Sequence, residues 1–399
     1  ISKSFFKTYA HPMYLTGLQA TGISSERIPL ISEMDAALKK LGWRAVAING
    51  FIPPSVFLEF QSLKILAIAC DMRKIENLGY TPSPDIVHEA AGHAPIVADP
   101  SYRNYLEAYG QVARNAIISK QDLELYDAIY DLSEIKENPK ATEQEINLAQ
   151  NRFEDVAKKI TEPSEASLLA RMAWWTTEYG MVDVNGAPLI YGAGLLSSIA
   201  ESFHTLDANV KKIPFTMKQA IATSYDITAP QPQLFVAKDF DSLTVALEEF
   251  ANTMAYRKGG AYGLEVAKKA GATVTVVFDT HLQITGVVTD FETNAAGEVI
   301  SFRIGGTKQV SYHDEAMTEI SYGLFGSQIY FPLFDASVTK TSMDDIQRKL
   351  HGSGLHTKAG HRISGHLKKE VRMGAAGKIL ILENVRVQDA AGKMVFEER

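Results

Sequence analysis

The sequence predicts an α+β protein in two parts, a mainly helical region over residues 1–265 and a β-rich module over 266–399. Through most of the first part, apolar residues recur at helical spacing. After residue 266 the pattern changes to alternating β-branched and polar residues, as in "ATVTVVFDTHLQITGVV". The length, 399 residues, is also more than one hydrophobic core usually organises.

The elements follow in chain order. "SEMDAALKKLGW" reads as a helix with Ser32 as its N-cap. "GFIPPSVFLEFQSLKILAIACDM" opens with a loop at Pro53-Pro54 and continues as an amphipathic run of helical length. Ser83 and Pro84 suit the N-cap and first turn of a helix through Asp85, His88 and Glu89, and Pro95 cannot prolong it far. Residues 104–160 are charged and helical, with "KENPKATEQE" as the break between two helices. "PSEASLLARMAWWTTEYG" is the clearest helix, capped by Ser164 and closed by Gly180 at the C′ position. Asn185-Gly186 marks a tight turn between short strands. "DSLTVALEEFANTMAYRKGG" is the last helix of this part. In the module, "NAAGE" turns between strands and "KILILENVRVQD" repeats the alternation.

Composition narrows the function. The chain is 46% hydrophobic and 22% charged, an ordinary globular balance. A net charge of −7 argues against a general nucleic-acid binder. The longest clean apolar run, residues 65–70, is far too short to cross a bilayer, and residues 1–30 carry no signal-peptide core. Cys70 is the only cysteine, so no intrachain disulfide forms, and its apolar neighbours predict a buried thiol. A reducing, cytoplasmic setting is expected. Residue 1 is Ile rather than Met, so further residues before it are expected.

The chemistry concentrates in "SPDIVHEAAGH", which places His88 and His93 five positions apart. On an ideal helix these side chains diverge by roughly 140°. They meet only across a π-type turn, or where the helix unwinds at Gly92. The spacing also differs from H-E-x-x-H, which suits a zinc hydrolase directly. Taken alone, the pair is a weak signal, and two unrelated structural histidines are the plainer reading. "AWWTTEYG" supplies a carboxylate, Glu178, near the end of the helix 164–179, with Trp174 one turn earlier on the same face. Two imidazoles and a carboxylate make a facial triad that leaves half of an Fe(II) shell open. A zinc hydrolase with Glu89 as base uses the same residue types, so the ligand set alone does not choose the reaction.

Further blocks bear on that choice. "PDIVHEAAGHAP", "WWTTEYG" and "YGAGLLSS", with "MRKIENLGYTPSPD" and "TAPQPQLFVAKDF", occur in an order that resembles the catalytic domain of the pterin-dependent aromatic amino acid hydroxylases. The resemblance covers about residues 25–257. It implies that family's mainly helical catalytic domain and a ring hydroxylation of a free aromatic amino acid, using Fe(II), tetrahydrobiopterin or a related reduced pterin, and O2. It makes His88, His93 and Glu178 the iron ligands. Arg73 becomes the partner of the substrate carboxylate, Asp85 the acid that orients it, and Thr81 a neighbouring substrate contact. Trp174 would wall the amino-acid pocket, and Tyr225 would stand at its rim. Ser197 would hydrogen-bond an iron-ligating histidine. Gly50, Ile52, Phe57 and Glu89 match positions around the pterin. Phenylalanine converted to tyrosine is the default reaction; tryptophan or tyrosine as substrate stays open, as does a non-catalytic binding protein that keeps the fold.

The chain also departs from that pattern. The interval from His93 to Glu178 is long, and the surplus around residues 115–160 is expected to be a surface helical pair, a candidate homodimer contact. Ala173 replaces a frequent tyrosine, and Pro53-Pro54 replaces small polar residues in the pterin loop. The β-rich module matches neither the family's regulatory domain nor its oligomerising helix. Within it, His351, His356, His361 and His366 recur every five residues among glycines and basic residues. Such a series suits a metal or an anionic group, and the plainer alternative is a mobile basic loop over the sheet.

Overall fold

The computed structural model describes residues 3–49, 52–73, 84–138, 140–225, 229–318, 328–333, 338–372 and 377–397. Gly50, Thr81 and Ser83 lie outside them. The chain divides into two compact units, Ile1–Arg257 and Lys258–Arg399. The boundary expected at 265/266 falls inside the helix Gly260–Ala270, which packs on the strand Leu282–Thr293 of the second unit.

In the first unit, strands Arg44–Ile48 and Ile65–Ala69 pair in parallel, joined by the helix Pro54–Ser62. This corrects the continuous helical run read from the sequence. Leu63 ends the helix, Lys64 takes a left-handed φ of 62°, and the β-branched stretch after it extends. Cys70 follows this strand and is exposed, not buried, because the chain leaves the sheet there. The helix Ile31–Leu38 begins one residue before Ser32, so Ser32 lies inside it, and the Glu33 carboxylate accepts from the Leu30 N–H at 3.4 Å.

The centre of the unit is the helix Pro100–Ala113, capped by Asp99, which buries Tyr102, Tyr105, Leu106 and Tyr109. Its Gly110 lets the helix Pro54–Ser62 approach so closely that a Cβ there would stand 2.5 Å from the Ser62 nitrogen. The surplus segment forms two packed helices, Lys120–Glu137 and Glu143–Lys159, each opened by a hydrogen-bonded capping box at Ser119 and Thr142. A four-stranded sheet, Ala187–Ile190, Met181–Val184, Gln233–Ala237 and Lys211–Pro214 in spatial order, holds the rest. The first two form a hairpin at Asn185-Gly186, both with positive φ.

In the second unit, Thr273–Val277, Leu282–Thr293 and Val299–Tyr312 form an antiparallel sheet with the turn at residues 294–297. A second antiparallel sheet contains Arg362–Arg372, Lys378–Gln388 and Met394–Glu397. The helix Met343–His351 lies on it and buries Ile346 and Leu350 against Leu355, Ile363 and Val387. The histidine series is therefore not a loop. His351 ends the helix, His356 and His366 lie on strands, and His361 is buried.

Candidate metal centre

His88 and His93 sit at the two ends of a π-helical turn, His88–His93. The wider turn of a π-helix brings side chains five apart onto one side, which an α-helix cannot do. Gly92 allows the turn to pack closely. A Cβ there would lie 2.7 Å from the Ala193 carbonyl oxygen. The third donor is placed the same way. The helix Glu165–Ala173, capped by Ser164, widens into a second π turn, Trp174–Glu178. Gly180, read from sequence as a left-handed cap, serves another purpose. Its φ is not positive, but a Cβ would stand 2.1 Å from the Thr176 carbonyl oxygen and 2.4 Å from the Tyr191 ring.

Among the described residues, His88, His93 and Glu178 form a group whose donor atoms lie within 4.8 Å of one another. The two histidine Nε2 atoms are 3.1 Å apart, and Glu178 Oε2 and Oε1 lie 3.3 Å from His88 and 3.1 Å from His93. Adjacent donors about 2.1 Å from an octahedral ion are about 3.0 Å apart, so these separations suit neighbouring positions of such a shell.

The surrounding bonds fix the donors. The Ser197 hydroxyl donates to the Ala193 carbonyl at 2.8 Å, so it accepts from His88 Nδ1 at 3.0 Å. That tautomer leaves the lone pair of His88 on Nε2, facing His93 and Glu178. Burial disfavours a charged His93, but the Glu178 carboxylate, by attraction and hydrogen bonding, and Glu89 outweigh it and raise the pKa to about 9. Burial likewise opposes charge on Glu178, and the two histidines override it, holding the carboxyl well below its usual range. Two imidazole nitrogens and a carboxylate thus converge on one point, a donor set that suits a cation.

Next to the triad lies a buried ion pair. Arg73 donates to Asp85 from Nε at 2.8 Å and from Nη2 at 2.7 Å, and from Nη1 to the Ser197 carbonyl at 3.0 Å. Both side chains are 3% exposed. Burial would raise the Asp85 pKa, but the bonds from Arg73 and from the His88 and Arg73 amides more than offset this and lower it. Asp85 therefore anchors both the arginine and the first residue of the π turn, whose N–H it accepts at 2.9 Å. Among the described residues, one hydrogen on each terminal nitrogen of Arg73 remains, a pair suited to a carboxylate.

Trp174 stacks on Tyr225 with centroids 4.3 Å apart and on Tyr179 at 4.6 Å. Trp174 and Tyr225 thus stand together. Glu89 is buried beside His88, and burial raises its pKa. Ile52 and Phe57 are half-buried around the start of the helix Pro54–Ser62. Neither has a ring contact with the triad among the described residues. Ala173 packs against the core. Sequence reasoning missed Glu201, which is 2% exposed, has no partner for Oε1 among the described residues, and is pushed by burial up to about 7. Its spacing from Ser198 signals only a helix cap, and the Glu201 N–H does meet the Ser198 hydroxyl.

A model of the biopterin-dependent aromatic amino acid hydroxylases matches residues 3–130 and 144–294, well over half of the chain and beyond the span read from sequence. A phenylalanine-4-hydroxylase of Mesorhizobium japonicum is 27% identical over 254 residues, covering 62% of this chain and 76% of the relative. One of Ralstonia nicotianae is 27% identical over 58% of this chain and 60% of its own length. One of Pseudomonas aeruginosa is 28% identical over 59% and 73%. The crystal structure of Chromobacterium violaceum phenylalanine hydroxylase with iron(III) and 7,8-dihydrobiopterin is 25% identical, covers 63% of this chain and 76% of that one, and has a TM-score of 0.48.

Proposed function

Because the chain belongs to the biopterin-dependent aromatic amino acid hydroxylases, we propose that it hydroxylates the ring of free L-phenylalanine to give L-tyrosine. The observation that carries this reading is the single point on which His88, His93 and Glu178 converge, with the Arg73–Asp85 pair beside it. His88, His93 and Glu178 hold the iron. When bound, ferrous iron and the reduced pterin supply the activation of O2 that ring hydroxylation requires.

The chain's own residues position the reactants. Ser197 keeps His88 in the tautomer that presents Nε2. Through its carbonyl it also holds Arg73, so one residue links the metal ligand to the carboxylate site. Arg73 takes the amino-acid carboxylate in a bidentate fork, and Asp85 keeps the guanidinium planar to it. The stacked Trp174 and Tyr225 wall the ring of the substrate. Glu89, Phe57 and Ile52 are assigned to the pterin; Gly50 and Thr81, outside the described residues, keep the pterin and substrate roles that the resemblance implies. A cytoplasmic setting fits the single exposed thiol, and no described helix is long and apolar enough to cross a membrane. We assign the helical pair Lys120–Glu137 and Glu143–Lys159 to a homodimer contact.

The test is direct. The purified chain is supplied with Fe(II), tetrahydrobiopterin and air, each aromatic amino acid is offered in turn, and products are read by mass spectrometry. Tyrosine from phenylalanine, lost in both His88→Ala and Glu178→Ala together with iron retention, is expected. Full turnover in either variant overturns the assignment, and product from tryptophan alone overturns the substrate.

A further inference from the structure

We propose that the second unit carries its own metal site, in which His351 and His366 bind a divalent late first-row ion such as Zn2+, with solvent completing its shell. The two histidines are fifteen residues apart in sequence, yet His351 Nε2 and His366 Nδ1 face each other at 3.1 Å. That is the separation of the two imidazole nitrogens in the triad of the first unit. The rings are 4.7 Å apart between centroids and tilted by 41°, so they do not stack flat.

The elements that present them are fixed. His351 closes a helix whose Ile346 and Leu350 are buried in the core of the unit. His366 lies on the strand beneath it, where a register shift between Ser364 and His366 re-aims the side chain. Gln347, one turn before His351, accepts from the Leu367 N–H at 3.1 Å and donates its amide hydrogen to His351 Nε2. That nitrogen is therefore an acceptor with a lone pair available to an ion, which replaces the Gln347 hydrogen as its partner. Glu383 is the cross-strand partner of His366, so its side chain leaves the sheet on the same face. Its carboxylate is taken by Lys368 at 2.5 Å, so the two imidazoles are the donors the chain presents. Both histidines are exposed, so an ion has free entry. A pair of imidazoles is a donor set suited to zinc, nickel or copper, with solvent in the remaining positions. The other two members of the series do not take part. His361 is buried and faces Glu292 at 3.6 Å, and His356 pairs across the strand with Arg362.

The test is calorimetric titration of the metal-stripped full chain with Zn2+, with bound metal counted after dialysis. The wild type should bind two ions. His366→Gln and His351→Gln should each bind one, with affinity at the remaining site unchanged. His88→Gln should keep the ion of the second unit and lose the other, so failure of the proposed catalytic centre is distinguishable from failure of this site. Circular dichroism and thermal midpoints confirm that these exposed substitutions leave the fold intact. A His88→Gln variant that binds no ion, or a His366→Gln variant that binds as many ions as the wild type, overturns the proposal.

Discussion

Replacing Ser197 with Ala removes one oxygen that works in two directions. Its proton goes to the Ala193 carbonyl, and its lone pair receives the Nδ1–H of His88. Without it, the buried Nδ1–H is left without an acceptor, which costs about 1–3 kcal/mol unless the ring turns. A turned ring misdirects Nε2. Loss of such an outer partner of a metal-binding histidine typically weakens binding by about 10–100-fold, or about 1.4–2.7 kcal/mol. The Ser197 carbonyl stays in place, so its bond to Arg73 survives. Binding of the amino acid should therefore change far less than binding of the ion. The assay is competition of Fe(II) between the protein and a chromogenic chelator, with Ser198→Ala as control. Ser198 caps the next helix by accepting from the Glu201 N–H, so its loss lowers stability by about 1 kcal/mol without touching the ion. If Ser197→Ala binds Fe(II) within twofold of wild type, the hydroxyl does not position His88 and the reasoning fails.

Other consequences are equally open to measurement. Arg73→Lys keeps a charge opposite Asp85 but loses the planar fork, so KM for the amino acid should rise at least tenfold with iron content unchanged; an unaltered KM refutes the role of Arg73. Asp85→Ala strands a buried guanidinium and should cost about 3–5 kcal/mol in urea unfolding. Gly180→Ala forces a methyl group onto the Thr176 carbonyl and the Tyr191 ring, neither free to withdraw, and should lower stability by about 1–3 kcal/mol. The Glu201 carboxyl is raised by burial to about 7, above its unfolded value of 4.5, so the folded chain holds a proton that the unfolded chain releases. Stability from this group is complete below pH 4.5 and lost as pH rises through about 7, by at most about 3 kcal/mol. Glu201→Gln should flatten that limb of the stability curve, and an unchanged pH profile refutes it.

The order of short motifs determined the chemistry. His88, His93, Glu178 and Arg73 stood out as candidates because metal and carboxylate recognition depend on residue type, and each type stands inside a recognisable local block. The alternation after residue 266 was legible for a similar reason, since side-chain periodicity is a property of neighbours in sequence. Long-range packing decided the rest. Whether five residues bring two histidines together or drive them apart depends on a π turn, which Gly92 permits only because Ala193 lies against it. The stretch after Lys64 is apolar enough for a helix, and pairing with Arg44–Ile48 makes it a strand whose end exposes Cys70. Gly180 looked like a cap, but the ring of Tyr191 is what excludes a side chain there. The sequence spaced four histidines evenly, yet the fold joined His351 to His366 and buried His361, because helix packing and strand register answer to partners far along the chain.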